Sequence, residues 1–132
     1  LLDRGLAAGA FALAAFFASG SAHAQGADTK KGEEVYSRCL ACHALASDRT
    51  GPRHCGLFGR RAGSVAGFGY TDAMKRSKIV WNATTLDRFI ADPLKVVPGT
   101  AMTYAGVKDA RERADLIAYL KAANSSPACA VH

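Results

Sequence analysis

The chain has 132 residues, with 17 Lys or Arg against 11 Asp or Glu for a formal charge of +6, and it is 49% hydrophobic. That length allows one domain with one modest core and excludes a multidomain machine. Beyond its N-terminus the chain holds no long apolar run, which excludes a membrane-spanning body and leads to the expectation of a soluble product.

Taken in chain order, the first element is a leader. "LLDRG" precedes the apolar stretch "LAAGAFALAAFFASG", and Ala22 and Ala24 then stand in the small-x-small pattern that signal peptidase cleaves. Residues 1–24 are expected to be a cleaved secretory signal. The apolar run is shorter than the roughly 20 residues of a membrane anchor. Cleavage leaves 132 − 24 = 108 residues, 25–132, and removes Asp3 and Arg4 together, so the charge of +6 persists. With this leader the chain is expected in the periplasm. No nucleic acid is expected there, and the basic excess reads as a solvated surface or as a docking face for acidic partners.

The spacing of Val35, Tyr36 and Cys39 after the N-cap candidate Asp28 predicts a helix ending near the first cysteine. From Ala44 to Tyr70, glycines and Pro52 punctuate a loop with no alternation long enough for a strand. "YTDAMKRS" predicts a short helix capped by Thr71. "NATTLDRFIADP" predicts another, with Leu86, Phe89 and Ile90 as its stripe and Pro93 as its stop. "LKVVPGTAMTYAG" reads as loop. "KDARERADLIAYLKAA" is the strongest helix, with Asp109 and Glu112 in capping-box spacing and Leu116, Ile117 and Leu120 on one face. Residues 125–132 read as a polar tail. The fold class is therefore all-α, loop-rich and short of aliphatic residues, so something large is expected at its centre.

"RCLACHAL" places Cys39, Cys42 and His43 together. A Cys-x-x-Cys pair serves thiol–disulfide exchange, zinc binding or covalent haem attachment. A thioredoxin-like site sits between a strand and a helix, and no strand precedes Cys39. A structural zinc wants four Cys or His ligands. Here two cysteines and an adjacent histidine are too crowded for the usual two-plus-two arrangement. Haem uses every residue of the motif: each thiol adds to a vinyl group, and the histidine lies under the ring and offers its imidazole to iron. The candidates for a sixth iron ligand are Met74, Met102, His54 and His132. Met102 follows Pro98 and Gly99, which together can make a stiff turn. Met74 reads as core, and His54, so near His43 in sequence, reads as an exposed loop residue. Once haem takes Cys39 and Cys42, Cys55 and Cys129 remain as the one possible structural pair.

"CLACH", "TGP", "GLFGRRAG", "FGYTDAMKRS", "IVWN", "FIADPLKVVPGTAM" and "RADLIAYL" occur in the order seen in class I c-type cytochromes. From about Ala27 to Asn124 the sequence resembles the cytochrome c and cytochrome c2 branch of that family. The resemblance implies a small single-domain fold of helices and loops wrapped around one covalent haem c, with the first and last helices crossing. It implies Cys39 and Cys42 as thioether cysteines, and His43 and Met102 as axial ligands. It makes Pro52 the carbonyl that accepts the other imidazole N–H of His43. Arg60, Tyr70, Trp81 and Thr100 fall where the family holds the haem propionates, groups that are costly to bury without donors.

Two positions depart from the family pattern. Cys55 stands where a histidine is common, and Ala101 stands where a lysine often precedes the ligand methionine. Tyr104 keeps the aromatic at the haem edge. Placing Cys55 and Cys129 on this fold brings them to the same side of the haem, which leads to the expectation of a Cys55–Cys129 disulfide, favoured by an oxidising compartment.

The resemblance implies an electron carrier and no enzymatic turnover. Partners would be a cytochrome reductase, a terminal oxidase or a dehydrogenase, met by a monomer through the exposed haem edge. Membranes would be reached only through partner complexes. Two rival readings are a gas-binding or peroxidase-like haem protein, which needs a labile Met102–iron bond, and a dedicated haem subunit of one dehydrogenase.

Overall fold

The computed structural model describes residues 26–130. The expected signal peptide, residues 1–24, and His132 lie outside the described residues. Among the described residues there are five α-helices: α1 Thr29–Tyr36, α2 Asp72–Arg76, α3 Ala83–Ala91, α4 Pro93–Val96 and α5 Ala110–Asn124. A 3₁₀ turn, Ser37–Cys39, extends α1, and another, Pro127–Cys129, follows α5. Among the described residues the only extended pairing is one isolated antiparallel bridge, Arg61 with Val80. The architecture is helical, as the sequence predicts, and among the described residues no helix is long and apolar enough to cross a membrane.

Local capping explains where each helix starts. The Asp28 carboxylate accepts from the backbone N–H of Lys30 and Lys31, and Thr71 Oγ1 accepts from Met74. Asn82 and Thr85 form a reciprocal capping box on α3, and Asp109 caps α5 through the Glu112 N–H. Pro93 does end α3, as the sequence predicts, but the segment read as loop after it is helical. Asp92 accepts from the Lys95 N–H and Pro93 occupies the first helical turn, where its missing N–H costs nothing, so the stop is also a start.

α1 and α5 pack across each other at Gly32. A Cβ there would overlap the Asp115 carbonyl of α5, so only glycine lets the two backbones meet. Asp115 is 2% exposed and receives the Asp28 N–H at 2.7 Å, while Arg111 Nε pairs with it at 3.2 Å. Arg38 clasps Glu112 through two hydrogen bonds of 2.8 and 2.6 Å, adding a surface link at the same crossing. The core then comprises Val35 and Tyr36 of α1, Leu86, Phe89 and Ile90 of α3, and Leu116, Ile117 and Leu120 of α5. Met74 and Trp81 join it, with Leu57, Ala62, Val97 and Val107 from the loops and helix ends. Most of these side chains also form the walls of a central cavity.

Candidate functional site

Residues 39–43 form one helical turn: the Cys42 N–H reaches the Cys39 carbonyl at 3.0 Å and the His43 N–H reaches the same oxygen at 2.8 Å. This winding is why a two-residue spacer, followed at once by histidine, brings all three side chains to one cavity wall. The cavity measures about 480 Å³ and is lined by Cys39, Cys42, His43, Pro52, Arg60, Tyr70, Trp81, Thr100 and Met102. Every site residue read from the sequence, apart from the disulfide pair, therefore lies on one surface. Burial pushes the Cys39 thiol above its ordinary range.

His43 is buried, with Nδ1 2.8 Å from the Pro52 carbonyl oxygen. A carbonyl only accepts, so Nδ1 carries the hydrogen and Nε2 keeps its lone pair for a metal. Burial lowers the imidazole's proton affinity, only partly opposed by the Pro52 bond, and so favours the neutral, ligating form. Gly51 closes against the His43 ring so tightly that a Cβ there would collide with it.

Met102 is brought to the cavity by a turn. The Thr100 N–H bonds the Val97 carbonyl at 3.0 Å across Pro98 and Gly99, and Gly99 has φ of +90°. Proline followed by a left-handed glycine is the sequence that a type II turn demands. Buried Thr100 accepts the Met102 N–H on its hydroxyl at 3.2 Å, which stiffens the backbone under the thioether. Met74, read from sequence as core, is buried and packs beside α3 and Trp81 on the same cavity.

The polar end of the cavity belongs to Arg60. Its Nη1 donates to the Cys55 carbonyl at 3.1 Å and its Nη2 to the Arg53 carbonyl at 2.8 Å, whereas its buried Nε has no partner. Burial lowers the proton affinity of this guanidinium. A buried donor without an acceptor is costly, and it fits an anionic group entering from the cavity. Tyr70 stands beside it on the lining, its hydroxyl oxygen accepting the Val65 N–H at 3.3 Å, which leaves the phenol hydrogen to donate elsewhere. Trp81 packs on Phe89 with ring centroids 5.0 Å apart.

The expectation for His54 is corrected. His54 is not an exposed loop residue: it is half-buried, lines the cavity and stacks on His43 with ring centroids 4.3 Å apart and planes 20° from parallel. Its Nδ1 lies 3.0 Å from the Tyr36 hydroxyl. Burial, with His43 and Arg60 adding to it, pushes its pKa down to about 3, so the ring is neutral at physiological pH. Sequence proximity misled here, because the chain between the two histidines folds back: the Gly51 N–H bonds the Cys42 carbonyl at 2.7 Å and the His54 N–H bonds Ala44 at 3.1 Å.

Two further anchors hold the 51–57 loop. Asn124, at the end of α5, donates to the His54 carbonyl at 3.1 Å and accepts the Gly56 N–H at 2.8 Å. Nothing in the local pattern marks Asn124 for this task. A disulfide joins Cys55 to Cys129 with Cα atoms 5.2 Å apart, so the segment read as a polar tail is docked.

The donor set can be tested against the three chemistries raised by its motif. Among the described residues no three His, Cys, Asp or Glu side chains gather to hold a bare metal ion. Nor do the described residues form a strand–helix unit that would support thiol exchange. Two thiols and a neutral imidazole on one turn, a thioether, an apolar cavity and an unpaired buried donor fit a planar, iron-bearing, carboxylate-substituted macrocycle.

Comparison with known proteins agrees. The family model described as Cytochrome c matches residues 29–124. The chain is 43% identical over 125 residues to cytochrome c2 of Blastochloris viridis, across 92% of this chain and 95% of that protein. It is 47% identical over 100 residues to cytochrome c of Gibberella zeae, across 73% and 94% of the two. Among solved structures, cytochrome cH from Methylobacterium extorquens superposes with a TM-score of 0.70 at 38% identity, covering 72% of this chain and 98% of that one. With this cavity and this extent of similarity, the chain belongs to the cytochrome c family as a class I c-type cytochrome, an electron-transfer protein rather than an enzyme, with haem c as its covalent cofactor and redox proteins as its partners.

Proposed function

We propose that this chain is an exported, periplasmic one-electron carrier whose haem is held by Cys39 and Cys42 and ligated by His43 and Met102. When bound, haem c supplies reversible ferric–ferrous chemistry. The protein's part is to hold both axial donors still, so that neither oxidation state requires rearrangement. Pro52 orients His43 and presents its Nε2 lone pair. The Val97–Thr100 turn and the Thr100 hydroxyl orient Met102. A thioether favours the softer ferrous ion and raises the potential relative to a second imidazole. Arg60, Tyr70, Trp81 and Thr100 serve the propionates, and Arg60 Nε is the donor kept for one of them. The apolar walls, Phe89, Ile90, Leu86 and Leu116 among them, keep water away.

The observation that carries this reading is the convergence on one cavity of an imidazole held by the Pro52 carbonyl and a thioether held by the Val97–Thr100 turn. His43 and Met102 would together hold the iron from the protein side, which would disfavour gas binding or peroxide chemistry. Residues 1–24 act as the cleaved signal, and the oxidising compartment preserves the Cys55–Cys129 bond. Donor and acceptor are a reductase, an oxidase or a dehydrogenase, met in brief encounters.

The test is Met102→Ala, characterised by pyridine haemochrome assay, visible spectrum and voltammetry. Covalent haem should remain, the ferric iron–sulfur charge-transfer band should vanish, the potential should fall, and CO or cyanide should bind. If the band and the potential survive the substitution, Met102 is not the ligand.

A further inference from the structure

His43 meets four constraints, and only the fourth is unexplained by holding a ligand in place. Cys39 and Cys42 tether its backbone turn, Pro52 accepts its Nδ1 hydrogen, and Gly51 closes on the ring. The fourth is the ring of His54, laid against it at 4.3 Å and 20°. An apolar side chain would fill that volume without bringing a buried polar ring that needs a partner. Here a partner is present: the Tyr36 hydroxyl, 3.0 Å from Nδ1. Tyr36 is itself 3% exposed and braced by Tyr119 of α5, with ring centroids 5.2 Å apart. The His54 backbone is tied as well, through Ala44, Leu45 and Asn124 and through the neighbouring Cys55–Cys129 bond.

We infer that His54 is a positioning residue that sets the rotation of the His43 imidazole about its bond to iron, with Tyr36 as the group that fixes His54. The inference rests on His43 being an axial ligand. The Pro52 hydrogen bond fixes one point of the imidazole, and a flat ring held parallel to it restricts its remaining twist. The tie to Tyr36 matters because a stacked ring free to turn would restrain nothing. The plane of an axial imidazole decides how the iron d orbitals split, so this stack reaches the electronic structure of the haem without touching it.

The experiment compares wild type, His54→Leu and Tyr36→Phe as purified holoproteins. His54→Leu removes the stack while keeping an apolar filling; Tyr36→Phe keeps the stack and releases its anchor. Ferric EPR g values and haem-methyl NMR shifts report the imidazole plane, voltammetry reports the potential, and thermal melting reports packing. Both variants should shift the g values and redistribute the methyl shifts, His54→Leu more than Tyr36→Phe. A threefold change in the ferric-over-ferrous preference would read as about 28 mV, at ~59 mV per tenfold for one electron. Unchanged g values, methyl shifts and potential in both variants would overturn the inference whatever happens to the melting temperature, since simple packing moves only that. If His54→Leu fails to fold, Tyr36→Phe alone decides. Wild-type spectra of an iron without a histidine ligand would instead overturn the reading of His43 as a ligand, and this inference with it.

Discussion

Gly32→Ala tests the helix crossing that shapes the whole molecule. On an isolated helix the change is favourable by about 1 kcal/mol, because glycine is the poorer helix former. In this fold the new Cβ would overlap the Asp115 carbonyl and lie 2.7 Å from the Tyr119 Cβ. Neither atom can be moved by a change of rotamer, since one is backbone and the other is the root of a side chain. α1 and α5 must therefore separate, loosening Val35 and Tyr36 against Leu116 and Leu120, all of them buried. Overpacking commonly costs ~1–3 kcal/mol, and a clash with rigid atoms belongs at or above the upper end. The propensity gain offsets only part of that, leaving a net loss of about 2 kcal/mol. For a domain of this size such a loss lowers the melting temperature by about 10 °C. The assay is thermal and guanidinium unfolding of the ferric holoprotein followed by far-UV circular dichroism. Lys31→Ala, one position away and exposed, is the control and should stay within about 0.5 kcal/mol. A Gly32→Ala protein melting at or above wild type would refute the crossing described for α1 and α5.

The remaining predictions concern links around that frame. Cys129→Ser should lower the unfolding midpoint while leaving the visible spectrum nearly unchanged; loop closure across a separation of 74 residues sets an upper limit of about 4.5 kcal/mol, and two reactive thiols per haem in denatured, unreduced protein would refute the bond. Hydrogen bonding from Arg38 holds the Glu112 carboxyl below its ordinary value of 4.5. Its stabilisation is thus whole above that value and fades as pH falls through the lowered one, so Arg38→Met should flatten the acid side of the stability–pH curve, and an unchanged slope would refute the linkage. Met74→Leu should cost less than about 1.5 kcal/mol and leave the potential in place; a lost iron–sulfur band in this variant would exchange the roles of the two methionines. Electron exchange with an oxidase or reductase should slow as added salt shortens the Debye length to about 8 Å and below. A rate indifferent to salt would argue against a basic docking face, and Ala101 in place of a lysine moderates the expected slope.

Features of short range are legible in the residue pattern alone. The Cys39–His43 motif is one turn of helix, the caps at Asp28, Thr71, Asn82 and Asp109 act within three residues, and the apolar stripes of α3 and α5 follow helical periodicity. The turn that carries Met102 is written in Pro98 and Gly99. Even α4 had a local signal, since Asp92 before Pro93 is a helix start as well as a stop. The remaining features come from contacts between distant segments. Gly32 is one glycine among several until Asp115 is laid against it, and Asp115 is one more charge on a helix until the Asp28 N–H arrives from 87 residues away. His54 reads as a loop residue because its partners, Tyr36 and Asn124, lie 18 and 70 positions off. Periodicity and capping report which face of a segment is apolar and where it begins. Which backbones touch, and which buried polar groups find each other, depends on how separate segments come together around the cavity, and no local pattern carries that.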